Sequence, residues 1–225
     1  MRLSYKGKTK DVYELDEKRI VLKFKDDVTG QDGKFDPGAN KVALTMEGAG
    51  ESALKLSTYF FEKLNHINIP THFISSDAKE KSMTVLKAED FGKGVEVICR
   101  YRAVGSFIRR YGLYASEGDK LDAYIEFTLK DDKREDPLIT KEGLHALGIM
   151  DEDEYKKIEE LTRDICSVVK EELSEKGLEL YDIKLEFGKV GEDGSIVLID
   201  EISGGNMRVY KDGEYIEPLE LNKYF

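Results

Sequence analysis

Cysteine and histidine are scarce in this 225-residue chain, and their scarcity narrows the chemistry at once. Only Cys99 and Cys166 occur, far apart in sequence and in no metal-like spacing, so two reduced thiols are expected and no disulfide framework. The histidines, His66, His72 and His145, share no zinc spacing and point to no histidine catalysis. No G-x-S-x-G, no G-x-G-x-x-G and no Walker A loop is present. No run approaches the ~18 apolar residues of a transmembrane helix. The opening MRLSYKGKTK has no apolar stretch behind its basic residues, so no signal peptide is expected and the cytoplasm is the default location. An excess of positive charge is absent too. The formal net charge of −11 argues against a nucleic-acid partner, although a local cluster of cations can still hold one phosphorylated small molecule.

What is present describes a globular enzyme-sized chain. Hydrophobic residues make up 40%, enough for a sizeable core, and the 36% of charged residues mixes both signs along most of the chain. Internal repeats and low-complexity segments are not apparent. Ser52–Asn65 predicts a helix with Leu54, Leu56, Tyr59, Phe60 and Leu64 on its apolar face. A longer helix is predicted from about Glu152 to Lys176. Ile158, Leu161, Ile165, Val168 and Leu173 form its stripe, Asp151 and Glu154 its capping box, and Gly177 its stop. Short strands are expected at Thr71–Ile74, Met83–Leu86, Val95–Arg100 and Ala123–Leu129, and a hairpin at Leu180–Phe187 and Ser195–Ile199. Asp26 to Asn40 reads as a long polar loop of the kind that is usually functional or mobile. A boundary near Asp90–Gly94 divides the chain into lobes 1–90 and 91–225. The predicted class is α+β, antiparallel sheets with helices and a cleft between two lobes.

Four stretches carry candidate chemistry. In Tyr5-Lys6-Gly7-Lys8-Thr9-Lys10 an extended hairpin would put Lys6, Lys8 and Lys10 on one face, converging on a polyphosphate, with Gly7 allowing close backbone approach. The same spacing suits an edge strand guarded by lysines. Glu186 and Asp200 sit in or at the end of apolar strands that could face each other. Two such acids repel unless a lysine or a divalent cation neutralises them, and Mg²⁺ accepts one or two carboxylates plus phosphate oxygens. Both acids could equally face solvent. Arg100, Arg102, Gly105 and Ser106 end a strand and open a helix, which suits a phosphomonoester or else a capped helix with solvated arginines. Lys130 opens the charge run to Asp136, where Pro137 biases Asp136 to an extended shape. That run reads as a solvated turn or as a phosphate contact, and Asp26-Asp27 shares the ambiguity.

Taken in order, YKGKTKDVYE, VLKFKDDVTGQDG, NIPTHFI, VEVICRYRAVGSF, FTLKDDKREDPLIT, ELYDIKLEFG and VLIDEIS resemble the SAICAR synthetase family from Tyr5 to Arg208. The resemblance implies a two-lobed fold related to ATP-grasp enzymes, and a homodimer. It implies ligation of a carboxyaminoimidazole ribonucleotide (CAIR) to L-aspartate with ATP and Mg²⁺, through an acyl phosphate. Carried over by position, Lys8 and Lys10 hold ATP phosphates, Lys87, Ala88 and Glu89 line an adenine hinge, and Lys130 and Lys184 contact nucleotide. Lys8, Lys130 and Asp200 are the implied catalytic residues. Glu186 and Asp200 bind the metal, and Arg100, Ser106 and Arg208 take the CAIR phosphate and sugar. Departures fall in 34–54, where Ala49–Leu54 lacks the family's K-G-x-x-N-N, and in 203–207, where D-E-x-S-P-D becomes Asp200-Glu201-Ile202-Ser203-Gly204-Gly205. The family's C-terminal helix is expected to be missing after Pro218. These changes also fit a paralogous carboxylate–amine ligase or kinase with a different acceptor.

Overall fold

The computed structural model describes residues 1–31, 33–38 and 41–225. The chain opens with β1 (Arg2–Lys6), β2 (Lys10–Glu14) and β3 (Arg19–Phe24). The segment read as a long loop instead forms β4 (Asp27–Gln31) and β5 (Lys34–Phe35), joined by β6 (Val42–Thr45) into a small sheet of order β5-β4-β6. Polar strand composition hid this sheet, and Asn40 lies outside the described residues. Then come α1 (Ala49–His66), β7 (Phe73–Asp77) and β8 (Ser82–Leu86). The first large sheet is antiparallel, in the order β1-β2-β3-β8-β7.

Helix α1 starts three residues before the predicted Ser52. Its N-cap, Gly48, has no side chain to offer. The carboxylate of Asp26 does the capping from a distance, accepting the Gly50 N–H at 2.9 Å, which settles that residue as structural. Thr71 is not in a strand as expected; it makes a single parallel bridge to Leu198, and β7 begins at Phe73.

The rest of the chain builds one sheet. Its elements are β9 (Glu89–Asp90), β10 (Val95–Arg102), α2 (Ser106–Tyr111), β11 (Lys120–Leu129), β12 (Leu138–Ile139), α3 (Lys141–Ala146), α4 (Glu152–Glu175), β13 (Glu179–Val190), β14 (Ser195–Ile199), β15 (Met207–Lys211) and β16 (Glu214–Tyr215). The order is β12-β11-β10-β13-β15-β16, with β14 and β9 also paired to β13. After Pro218 the chain makes only the short α5 (Pro218–Leu221) and a 3₁₀ turn.

The capping box of α4 is present as predicted: Asp151 accepts the Glu154 N–H, and Glu154 accepts the Asp151 N–H. Its buried stripe runs through Ile158, Leu161, Ile165, Val169 and Leu173, so Val169 replaces the expected Val168. Asp151→Ala is expected to lower stability by about 1 kcal/mol, read as a shift in the urea midpoint at unchanged m-value.

Strand period two then creates the functional surface. On β10, Val97 and Cys99 face α4, while Glu96, Ile98 and Arg100 face the other way. The register sets Glu96 opposite Glu186, Ile98 opposite Lys184 and Arg100 opposite Asp182 on β13. On β11, Glu126 and Thr128 continue the same face, and Lys130 follows just past the strand end. One side of the sheet is therefore core, with Ile183, Leu185 and Phe127 fully buried, and the other is a wall of charge. Cys99 and Cys166, distant in sequence, are free, buried neighbours on the core side.

Candidate active site

The charged wall faces two adjoining cavities, of about 610 Å³ and about 1110 Å³, whose shared lining includes Glu96, Asp136, Lys184 and Asn206. The first is lined by the β1–β2 turn, Lys130, Glu186 and Asp200. The second is lined by Arg100, Ser106, Arg109 and Arg208, and by the remodelled stretch around Gly38 and Val42.

In the smaller cavity the lysines do not share a strand face as expected. Gly7-Lys8-Thr9 is a tight turn closed by the Gly7 N–H donating to Lys10 O at 2.9 Å. A Cβ on Gly7 would lie 2.3 Å from that oxygen, so the turn requires glycine. Lys6 is exposed, Lys8 reaches Asp132 at 2.7 Å, and Lys10 turns inward. Buried Lys10 pairs with Asp200 at 3.0 Å and with Glu201. Lys130 donates to both oxygens of Glu186 at 2.9 Å, and Lys184 to Glu96 at 2.6 Å. In the charge run, Lys130 lines the smaller cavity and pairs with Glu186.

Titration follows from this crowding. Burial and the nearby Asp200 charge push the Glu186 carboxyl above its usual range, against the pull of Lys130 and Lys184. Burial works on Asp200 in the same direction, but Lys10 and Lys130 outweigh it and hold that carboxyl low. His72 lies against Asp200 and Lys10, and burial pulls its pKa down from 6.5 to about 4. A neutral His72 is thus part of the folded state. Its contribution is complete above pH 6.5 and is lost as pH falls from 6.5 towards 4, amounting to ~3 kcal/mol over that window. Urea unfolding of wild type and His72→Gln across pH 7 to 4 should show this loss in the wild type alone.

In the larger cavity Arg100 is 2% exposed and fully engaged. It donates to Glu126 at 2.6 Å, Asp182 at 2.6 Å and Ser106 Oγ at 2.8 Å. Arg208 donates to Asp182 at 2.7 Å and to Asp36 at 2.6 Å. Arg110 also reaches Glu126. Gly105 has φ +57° and lies under Arg208; a Cβ there would sit 2.8 Å from the guanidinium. Helix α2 has only six residues, so side chains rather than a helix terminus define this anion site. Asp136 is not extended before Pro137. It has φ +47°, next to Glu135 at +58°, and its carboxylate accepts the Asp131 N–H at 2.8 Å, which closes the turn.

Of the sequence candidates, Lys8, Lys10, Lys130, Lys184, Glu186 and Asp200 gather at one cavity, and Arg100, Ser106 and Arg208 at the other. Lys87, Ala88 and Glu89 line neither. Lys87 and Ala88 connect β8 to β9, which Glu89 opens, and the Lys87 N–H is taken by Lys18 O at 2.8 Å. Sequence reasoning missed Glu96, Asp182, Glu201 and Asp36, the acids that hold the cations in place. Alternation within Asp182-Ile183-Lys184-Leu185-Glu186 was the one available signal for Asp182.

Amines and carboxylates on one side and guanidiniums on the other define a protein that brings two anionic small molecules together. The SAICAR synthetase family matches residues 3–223. A phosphoribosylaminoimidazole-succinocarboxamide synthase from Clostridium tetani is 63% identical over 99% of this chain and 98% of its own. Among solved structures, a SAICAR synthetase in complex with ADP superposes with a TM-score of 0.84 at 33% identity, covering 95% of this chain and 87% of that one. The Ehrlichia chaffeensis synthase gives 0.85 at 27% identity, covering 99% and 90%. The chain belongs to the SAICAR synthetase family. No helix among the described residues is long and apolar enough to cross a membrane.

Proposed function

We propose that the protein is an ATP-dependent carbon–nitrogen ligase that joins CAIR to L-aspartate, giving SAICAR, ADP and phosphate in purine biosynthesis in the cytoplasm. The observation that carries this reading is the pair of adjoining cavities, which places a lysine–carboxylate compartment against a guanidinium compartment across Lys184 and Asn206.

In the reaction, a CAIR carboxylate oxygen attacks the γ-phosphorus of ATP and the bond to the bridging oxygen breaks, releasing ADP. The amino group of aspartate attacks the acyl phosphate carbon, phosphate departs with the former carboxylate oxygen, and the nitrogen gives up a proton. Lys8, Lys10 and Lys130 gather the phosphates, and Lys184 stands between nucleotide and acceptor. Arg208 and Ser106 take the ribonucleotide phosphate, and Arg100, whose donors are all engaged, holds Ser106 in place. Residues 1–90 form the nucleotide lobe, with Lys87-Ala88-Glu89 as its hinge, and 91–225 carry the metal and acceptor sites. This is positioning and charge neutralisation, which phosphoryl transfer chiefly requires.

Glu186 and Asp200 suit Mg²⁺: both are hard oxygen donors at one cavity, and burial, with their mutual repulsion, raises Glu186. Such an ion is held partly by nucleotide phosphate oxygens. When bound, the ion would neutralise charge on those oxygens. Purified protein given Mg²⁺, ATP, CAIR and L-aspartate should release SAICAR, followed by mass spectrometry, with ADP formation needing both other substrates. ADP release with another carboxylate, and none with CAIR, would overturn the reading.

A further inference from the structure

Strands β14 and β15 lie along the same edge of β13: Ile199 of β14 pairs with Glu186, and Met207 of β15 pairs with Ile183. Between them the chain leaves the ladder. Asp200 takes φ +67°, and in the excursion 200–206 Asp200, Glu201 and residues 203–206 line the smaller cavity while Ile202 packs into the core. Two ion pairs then face one cavity from separate backbone segments. Lys130–Glu186 is anchored on the continuous strand β13, whereas Lys10–Asp200 rests on the excursion, which the ladder does not hold.

One side chain spans that gap. The Asn206 carboxamide donates from Nδ2 to Lys184 O at 2.8 Å and to Glu201 O at 2.6 Å, and its Oδ1 accepts the Ser203 N–H at 2.8 Å. Its own carbonyl accepts the Lys184 N–H at 2.8 Å. Asn206 is 8% exposed and borders both cavities. Both amide protons are committed to main-chain oxygens, one on each segment, which an aspartate could not reproduce.

We infer that Asn206 is a positioning residue that sets the separation between Glu186 and Asp200, and with it the geometry in which nucleotide is held for phosphoryl transfer. It does not touch the reacting atoms. It acts by fastening the Asp200–Glu201 segment to Lys184. This rests on the ligase reading for its activity arm and stands apart from it for its binding arm.

The test uses the full chain and the variants Asn206→Asp and Asn206→Ser, the latter retaining one donor. Steady-state turnover with ATP, CAIR and L-aspartate is measured beside calorimetric titration of ADP with and without Mg²⁺, and thermal unfolding reports folding. In folded Asn206→Asp, kcat is expected to fall at least about 100-fold. The gain in ADP affinity that Mg²⁺ gives the wild type should vanish, while metal-free ADP affinity stays within about threefold, a pattern that mere loss of stability does not produce. If Asn206→Asp does not fold, Asn206→Ser is read by the same criteria, with intermediate losses expected. Retention of kcat and of the Mg²⁺ effect within threefold in a folded variant overturns the inference. A wild type that makes no SAICAR defeats the ligase reading instead, and the ADP titrations then decide the role of Asn206 alone.

Discussion

Replacing Lys10 with methionine is expected to lower the free energy of unfolding by about 3–5 kcal/mol and to reduce turnover at least ~1000-fold. The ammonium group is buried between Asp200 and Glu201, so its removal leaves two carboxylates close together with little solvent to shield them. Lys10 is itself held above the usual lysine range: burial opposes its charge, and the charges of Asp200 and Glu201 overcome that opposition. Part of the loss should be recoverable in acid, where one of the stranded acids can take up a proton. Urea denaturation at pH 7 and pH 5 and a SAICAR assay on the folded variant check both arms. A stability change under 1 kcal/mol would show that the pair is not the constraint it looks to be.

Arg208→Gln is expected to raise the KM for CAIR by about 100-fold, equivalent to ~3 kcal/mol of lost binding, with the KM for ATP within threefold of wild type. Arg208 lines the larger cavity, and Asp182 and Asp36 hold its guanidinium in place. Arg208→Lys should recover little, because a lysine cannot engage two acids and a phosphate with one planar fork. Steady-state kinetics with each substrate varied in turn separates the outcomes. Equal losses in both KM values would place Arg208 in the general scaffold rather than at the acceptor.

Much of the second sheet could be read from the sequence because its signals are local. The capping box of α4 lies within four residues, and the β13–β14 hairpin within a short run that starts and stops at glycines. The cations were legible for the same reason, since strand alternation and turn residues mark them. Their acidic partners were not. Lys10 meets Glu201 across 191 positions and Lys184 meets Glu96 across 88, and no periodicity links such pairs. The three-residue turn at Gly7 broke the alternation that would have placed Lys6, Lys8 and Lys10 on one face. Strands β4 and β5 went unseen because they are short and rich in polar residues and glycine, with few of the β-branched and apolar side chains that usually announce a strand, and β6 spans only four residues.

Asp36, Arg208, Asp182, Arg100, Glu126 and Arg110 form an unbroken chain of alternating sign, each member touching the next. Six side chains from six separate stretches of sequence therefore answer to perturbation collectively. Paired replacements within that chain should depart from the sum of the single ones, and a reversal of charge at one end should be relieved best by a second reversal at its neighbour. Any alanine scan of this region measures the cost of cutting a circuit, and the values obtained for its members are not separable shares.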